Sequence, residues 1–587
     1  MRFSYLVNYF ENLEKTSSKN AMVQTLASLL KEATVSSIDI VCYFTLGEVA
    51  AAYKSVQLGI GTEIAKSAIS LTFGIEKTVI ENKLKKFGDL GTVTLKIDKA
   101  AKRKIMGISV KGKLSVSNLH KELIKIARAK GTGSQEVKEK TLATILTEAS
   151  PEERKYVIRL ALGEMRLGVA DMTLLDALAV AFLGSKEKRV LLEDAYNVCS
   201  DIGYVAKILA RSGLKGVKRI RISLGRPIKP MLAQRVSKLS EIMKHIKSEE
   251  VAAEEKYDGE RIQAHKNGNK VKLFSRRLID VTSQFPIIVN QVSKRISAKK
   301  AVLDGEVVAY DFEEKAFEPF QKLMQRRRKY NVKEFAETMP VKYMLFDVLC
   351  VNGKSYLKTI YPQRRKKLEK IVKNNKRVAV ANRMVSAQLE EIDDFFQDCL
   401  ERGLEGIVCK SNATDSYYQA GARGWLWIKW KASYATELSD TLDLVVVGAY
   451  AGKGKRAGTY GALLCAAYES EKDVFQTVCK LGSGFYDKQL SSLPEKLEDA
   501  KVSKKPARVA VNKEMFPDYW FTPKYVVEVL GSEITQSPAH TCDWDAEEKR
   551  GLSLRFPRFK RWRGEKAPEQ ATTVSEVVEM FRRSRKK

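Results

Sequence analysis

The residues best suited to chemistry begin with Glu254-Glu255-Lys256-Tyr257-Asp258-Gly259-Glu260-Arg261. A lysine set among carboxylates is, by itself, an ordinary surface ion pair. Its amine becomes a nucleophile only when held neutral, which burial and neighbouring cations favour. This lysine does not stand alone. Ser275-Arg276-Arg277, Asp304-Gly305-Glu306, Leu345-Phe346-Asp347, Glu405-Gly406-Ile407-Val408-Cys409-Lys410, Trp427-Ile428-Lys429-Trp430-Lys431 and Arg555-Phe556-Pro557-Arg558-Phe559 follow it in that order. Other kinds of site are not indicated. Gly353-Lys354-Ser355 ends like a Walker A loop, but Val348 stands where the leading glycine belongs, so the segment reads as a turn. The four histidines (His120, His245, His265, His540) form no spaced ligand set. The eight cysteines contain no CxxC pair, so neither a zinc site nor a disulfide framework is indicated.

In order and spacing, the set resembles the nucleotidyltransferase superfamily of covalent lysine–nucleotide enzymes. Within it, the pattern is similar to the ATP-dependent DNA ligase family of the archaeal and eukaryotic replicative type, over nearly the whole chain. The resemblance implies an enzyme that seals a 3′-OH/5′-phosphate nick in duplex DNA, serving replication, repair and recombination. Lys256 would take AMP from ATP and release pyrophosphate; the AMP would pass to the 5′-phosphate, and the 3′-OH would displace it. The resemblance also implies that Glu254 lies beside the adenine, that Arg261 and Arg276 reach ribose and phosphate, and that Phe346 stacks on the base. Arg423, Lys429 and Lys431 are implied around the phosphates. Glu306 and Glu405 are implied at the ribose or at a divalent metal, Mg²⁺ or Mn²⁺, because carboxylate and phosphate oxygens suit such hard cations. Arg563 and Lys566 stand where that family carries Arg-x-Asp-Lys, with Glu565 in place of the Asp, and are implied to orient the pyrophosphate.

Residue types and chemistry agree. Phosphoryl transfer is mostly positioning and charge neutralisation, which Arg, Lys and carboxylates supply. An mRNA-capping guanylyltransferase would share the lysine motif but not the long N-terminal region. An NAD-dependent ligase would carry a Cys-rich zinc module, and a decayed DNA-binding scaffold would have lost pocket residues that are all present here.

These residues must be positioned by a chain of 587 residues, too long for one hydrophobic core. Up to about residue 225 the pattern is helical. Ser150-Pro151-Glu152-Glu153 is a capping box with Pro at the first helical position, opening a helix that carries Val157, Leu160, Ala161 and Met165 and that Gly168 can end. Leu174 to Leu183 gives another helix, and Lys130-Gly131-Thr132-Gly133-Ser134 reads as a helix entry. Arg226-Pro227-Ile228-Lys229-Pro230 marks a boundary. Strands then alternate with helices: Arg261–Lys266 and Lys270–Ser275 flank the hairpin signal Asn267-Gly268-Asn269, and Gln363–Val372 and Leu389–Leu400 are helical. After a polar hinge, Ala432 to Thr441, a Gly-rich strand region begins. The expected architecture is an all-α DNA-binding domain (1–225), an α+β adenylation domain (226–435) and a β-barrel OB-fold domain with a basic C-terminal tail (436–587). In that region Gly452-Lys453-Gly454-Lys455-Arg456-Ala457-Gly458 resembles a family loop that meets DNA.

Nicked double-stranded DNA is the expected partner, joined through the family by a sliding clamp, although no clamp-binding peptide stands out between Lys102 and Lys113. The chain reads as a cytoplasmic, nucleoid-associated monomer with no membrane segment and no secretory signal. Lys and Arg number 103 against 71 Asp and Glu, a net charge of +32 that suits a polyanion. DNA affinity is therefore expected to fall steeply as salt rises and to vary little with the bases around the nick; a salt titration on nicked duplexes of different sequence checks both.

Overall fold

The computed structural model describes residues 1–100, 114–236, 238–318, 322–323, 340–431, 441–452 and 456–585. The stretch considered for clamp binding, the hinge at 432–440 and the loop residues 453–455 lie outside the described residues. The chain divides into two compact units, one formed by Met1–Ala65 and Ile105–Ala435, the other by Lys66–Lys104 and Thr436–Lys587.

In the first unit the N-terminal part is helical. Helix Pro151–Leu162 starts as its sequence requires: the Ser150 side chain accepts from the Glu153 amide, and the Glu153 carboxylate accepts from the Ser150 amide. It ends at Gly163, not at Gly168. Gly163 takes the left-handed conformation (φ +71°) and its amide bonds the Arg159 and Leu160 carbonyls, closing the helix one turn early. The apolar segment becomes helix Asp171–Leu183, and Gly133 caps the entry of Ser134–Glu148.

The rest of this unit is built on β1 (Leu232–Arg235), β2 (Val251–Lys256), β3 (Glu260–Asn267), β4 (Lys270–Ser275), β5 (Lys300–Asp311), β6 (Val341–Val351), β7 (Arg383–Ser386), β8 (Gly406–Ser411) and β9 (Arg423–Lys431). One sheet runs β1-β9-β8-β2-β7. Another runs β4-β3-β5-β6, extended by the short strands Lys354–Ser355, Val378–Val380 and Ala316–Phe317. The β3–β4 hairpin turns at Gly268, whose positive φ (+59°) suits the two-residue loop.

Period-two alternation decides which side of each sheet is core. Val251 and Ala253 of β2, Ile407 and Cys409 of β8, and Ile428 and Trp430 of β9 face helix Leu389–Glu401, meeting Ile392, Phe396 and Cys399. In the other sheet Ile262, Ala264, Leu273, Leu303, Val307, Tyr343 and Leu345 make the core with Ile288, Val292 and Leu368. The alternate residues of both sheets are thereby turned away from apolar packing, and these carry the chemistry.

The second unit is sheet-rich. Strands Leu442–Ala451, Tyr460–Glu469 and Val474–Leu481 pair antiparallel in succession; Val526–Leu530 pairs with the first of them and in turn with Arg558–Trp562. Strands Glu533–Ser537, Cys542–Asp545 and Arg550–Arg555 form a separate three-stranded sheet. Leu444, Val446, Leu463, Val478, Val527 and Phe559 share one core with Leu490 and Leu493 of helix Asp487–Lys496.

One glycine fixes the register at the functional end of β2. Gly406 lies opposite Lys256 on one side and Lys431 on the other, with φ +141°, and a Cβ there would sit 2.3 Å from the Trp430 carbonyl oxygen. Gly406→Ala should cost roughly 3 kcal/mol, because both the backbone conformation and the space forbid a side chain. Urea unfolding of the variant checks this.

Candidate active site

Three adjacent strands assemble the centre of the site. Glu254 of β2 is in register with Val408 of β8, and Val408 with Lys429 of β9; two residues on, Lys256, Gly406 and Lys431 form the next row. Arg235 of β1 extends the first row beside Lys429, and Arg383 of β7 completes its other end beside Glu254. Residues that are neighbours across a sheet share a face, so Glu254, Lys256, Lys429 and Lys431 all stand on the side opposite the apolar core. Glu405 precedes β8, its amide bonding the Lys256 carbonyl at 3.0 Å. Its carboxylate bridges the ammonium groups of Lys256 and Lys431, one oxygen to each.

The second sheet supplies the facing wall. Arg261 of β3 pairs across the ladder with Glu306 of β5 and is clamped by both oxygens of buried Asp304, at 3.1 and 2.7 Å. Tyr418 donates to the same carboxylate at 2.9 Å. Phe346 is presented by an irregularity in β6: Leu345 pairs with Gly305 and Asp347 with Asp304, leaving Phe346 as the extra residue of a bulge. Its ring meets Trp427 edge-on at 6.2 Å, with the Arg261 guanidinium 5.3 Å from its centroid. Two bonds tie the walls together. Arg261 Nη1 donates to the Met231 carbonyl at 2.7 Å, and Lys410 Nζ to the Phe346 carbonyl at 3.2 Å.

Glu254 is buried and fully engaged, paired with Lys410 at 2.5 Å and Arg365 at 3.1 Å and accepting from the Tyr361 hydroxyl. Lys410 is also within 4.5 Å of the Trp427 ring centroid. Beneath it, Asp347 and Arg364 form a buried bidentate pair (2.8 and 3.1 Å) that fixes the backbone carrying Phe346. Glu255 points to the other face, where Arg402 and Asn382 hold it at 2.5 and 2.9 Å.

The electrostatics follow from crowding. Burial lowers the Lys256 pKa against the pull of Glu306 and Asp258, and the charges of Arg276 and Arg261 lower it further. Lys429 is lowered by burial and then by Lys256, Arg423, Arg276 and Arg235. Five cations thus converge on one mouth, an arrangement that favours an incoming anion. Glu306 is pushed up to about 7 by burial, which outweighs Lys256 and Arg261. Glu306 and Glu405, both beside Lys256, offer hard oxygen donors, and with phosphate oxygens they fit a Mg²⁺ ion, which takes one or two carboxylates and keeps its water. Among the described residues no group of three or more His, Cys, Asp or Glu could hold a metal by itself.

Of the sequence-predicted residues, Glu254, Lys256, Arg261, Glu306, Phe346, Glu405, Lys429 and Lys431 line this cleft, and Arg276 and Arg423 act on its lysines electrostatically. Arg563 and Lys566 belong to the second unit, where both pair with Asp443, at 3.0 and 2.7 Å. The sequence reading gave no role to Asp304, Lys410 and Trp427, although strand alternation within the quoted motifs would have turned them inward. Tyr361, Arg365 and Tyr418 carry no local signal at all.

The two sheets thus bring a strand-end lysine, further cations and several carboxylates to one place. Three family models match the chain: DNA ligase N terminus over residues 2–179, ATP dependent DNA ligase domain over 230–431, and ATP dependent DNA ligase C terminal region over 456–566. The chain is 45% identical to DNA ligase 2 of Thermofilum pendens, covering 100% of this chain and 98% of that protein. It is 43% identical to DNA ligase of Sulfophobococcus zilligii (100% and 98% covered) and 43% to DNA ligase 1 of Methanosarcina mazei (99% and 99%). A solved structure titled "Pmar-Lig_PreS3" shares the fold, with a TM-score of 0.56 at 18% identity over 95% of this chain and 99% of that one. The chain belongs to the ATP-dependent DNA ligase family.

The raised pKa of Glu306 has a signed consequence for stability. Below pH ~4.5 the carboxyl is neutral folded or unfolded. Between there and about 7 the unfolded chain ionises while the folded one keeps its proton, so stability falls with pH and then levels. Glu306→Gln removes that loss and should gain on the order of 1 kcal/mol over the parent at pH 8 relative to pH 4. Parallel urea titrations at the two pH values check it.

Proposed function

We propose that Lys256 is the nucleophile through which this DNA ligase takes AMP from ATP. The observation that carries the reading is the convergence of Lys256, Lys429, Arg276, Arg423 and Arg235 on one mouth, with burial driving Lys256 toward its neutral form. A neutral amine attacks the α-phosphorus; the N–P bond forms as the bond to pyrophosphate breaks, and Glu405, already bonded to Lys256, stands to take the amine's proton. Lys429, Lys431 and the arginines neutralise charge on the phosphates as it shifts to the leaving group. Phe346 stacks on the base, Glu254 stands beside it with Lys410, and Arg261, fixed by Asp304, reaches the sugar. The enzyme then seals the 3′-OH/5′-phosphate nick in duplex DNA through 5′-adenylated DNA.

Glu306 and Glu405 would hold Mg²⁺, which when bound supplies charge neutralisation at the phosphates. The domain boundaries near residues 225 and 435 belong to this reading, as does closure of the C-terminal sheets into an OB-fold barrel, which their short antiparallel strands support. Arg563 and Lys566 would leave Asp443 to orient pyrophosphate. A sliding clamp as partner and action as a monomer complete it.

Incubation with α-labelled ATP and Mg²⁺ should leave label on the protein, and peptide mapping should place it on Lys256. Lys256→Ala should lose the label at least about a thousandfold while unfolding with the parent, because a strand-end lysine adds little packing. Retained label on the folded variant, or label unaffected by EDTA, contradicts the assignment.

A further inference from the structure

Phe274 of β4 is out of place for its strand. Its neighbours Val271 and Leu273 lie in the sheet core, so alternation turns Phe274 to the opposite, outer face; yet it is 0% exposed. What covers it comes from the helical region: Tyr43, Ala51 and Tyr53 form one cluster with it. His265, edge-on at 5.0 Å, closes the remaining side.

That cover is rigid. The hydroxyls of Tyr43 and Tyr53 donate to the two oxygens of Asp201 at 2.6 and 2.9 Å. Asp201 is itself fixed as the cap of helix Ile202–Val217, accepting from the Tyr204 amide at 2.9 Å. Gly203 makes the approach possible, since a Cβ there would lie 2.5 Å from Tyr43 Cζ. Two residues past Tyr53, Ser55 takes a left-handed conformation (φ +49°), and its Oγ accepts from the Asp280 amide at 3.1 Å.

Phe274 and Asp280 are the two feet of one turn. They bridge to each other, and between them the Ser275 amide bonds the Ile279 carbonyl at 2.9 Å and the Leu278 amide the Ser275 carbonyl at 2.8 Å. Leu278 has φ +64°, a conformation that a leucine holds only when its surroundings enforce it. Arg276 rides on this turn, exposed, with its charge acting on Lys256 and Lys429. A flexible guanidinium on a free loop would lose much of its effect to side-chain and backbone entropy; one carried on a turn anchored at both feet loses less.

We propose that Tyr53 and Ser55 of the helical region are positioning residues for adenylation of Lys256: by pinning Phe274 and Asp280 they aim Arg276 at the triphosphate. The helical region then has a task before any DNA is present. This inference rests on reading Arg276 as a phosphate ligand, and the test separates the two.

The measurement is the single-turnover rate of Lys256 adenylation by the full chain with ATP and Mg²⁺, without DNA. It is made on the parent, Ser55→Ala, Tyr53→Leu, Arg276→Ala, and each of the first two combined with Arg276→Ala. Ser55→Ala removes one surface hydrogen bond and leaves the fold intact, so it carries the test should Tyr53→Leu fail to fold. Loss of about tenfold in each single variant is expected, a larger loss in Arg276→Ala, and double variants no slower than Arg276→Ala alone. Losses that multiply in the double variants overturn the inference, because Tyr53 and Ser55 would then act by another route. Parent-like rates in the single variants, beside a defective Arg276→Ala, also overturn it while leaving the phosphate role of Arg276 standing. An Arg276→Ala rate equal to the parent's removes that role and the inference with it.

Discussion

Like charges brought to one place repel, and the cleft around Lys256 exists only because a sheet holds them there. Lys256, Lys429 and Lys431 stand on neighbouring rows of three hydrogen-bonded strands, so their separation is set by backbone pairing and not by their own preference. The apolar backs of the same strands anchor that pairing: Ile407, Cys409, Ile428 and Trp430 are buried against Ile392 and Phe396. A shift of one residue in β8 would exchange its two faces, sending Lys410 into the core and Ile407 and Cys409 into the cleft. Burial of the core side is thus what sustains the charge on the other, where the burial of Lys256 itself lowers the pKa of its amine.

Much of this was legible in the sequence, for identifiable reasons. Lys256, Glu306, Lys429 and Lys431 sit on strands and Glu405 just before one, and it was the resemblance of their motifs to a known family that marked them as a group. The Asn267-Gly268-Asn269 hairpin and the Ser150 capping box are short-range patterns and appear as such in the structure. The helix end at Gly163 was misjudged because two glycines were available and only backbone hydrogen bonding chooses between them. What the sequence hid depends on partners far along the chain. Arg365 and Tyr361 reach Glu254 across more than a hundred residues, and Arg364 finds Asp347 through the packing of a helix on β6. No local pattern marks an arginine as the buried partner of a distant carboxylate.

The bulge at Phe346 shows how the two kinds of information meet. Its neighbours Leu345 and Asp347 obey the pairing of β6 with β5, one in the core and one on Arg364. Phe346 escapes that alternation by a single extra residue, and both its ring and its carbonyl become available to the cleft, the carbonyl to Lys410. A rigid ion pair beneath a bulge lets one apolar ring be offered to a polar cavity without loosening the sheet.

The bridge made by Glu405 gives the resting cleft an occupant of its own. One carboxylate already satisfies two ammonium groups, so an incoming anion gains only the difference between its own attraction and that of Glu405. A monoanion such as chloride or acetate offers those lysines nothing that the tethered carboxylate does not, and it arrives without the advantage of attachment. A polyphosphate brings several charges at once and can engage the arginines as well. The bridge therefore sets a threshold: a small anion gains little at lysines that already have a tethered carboxylate beside them.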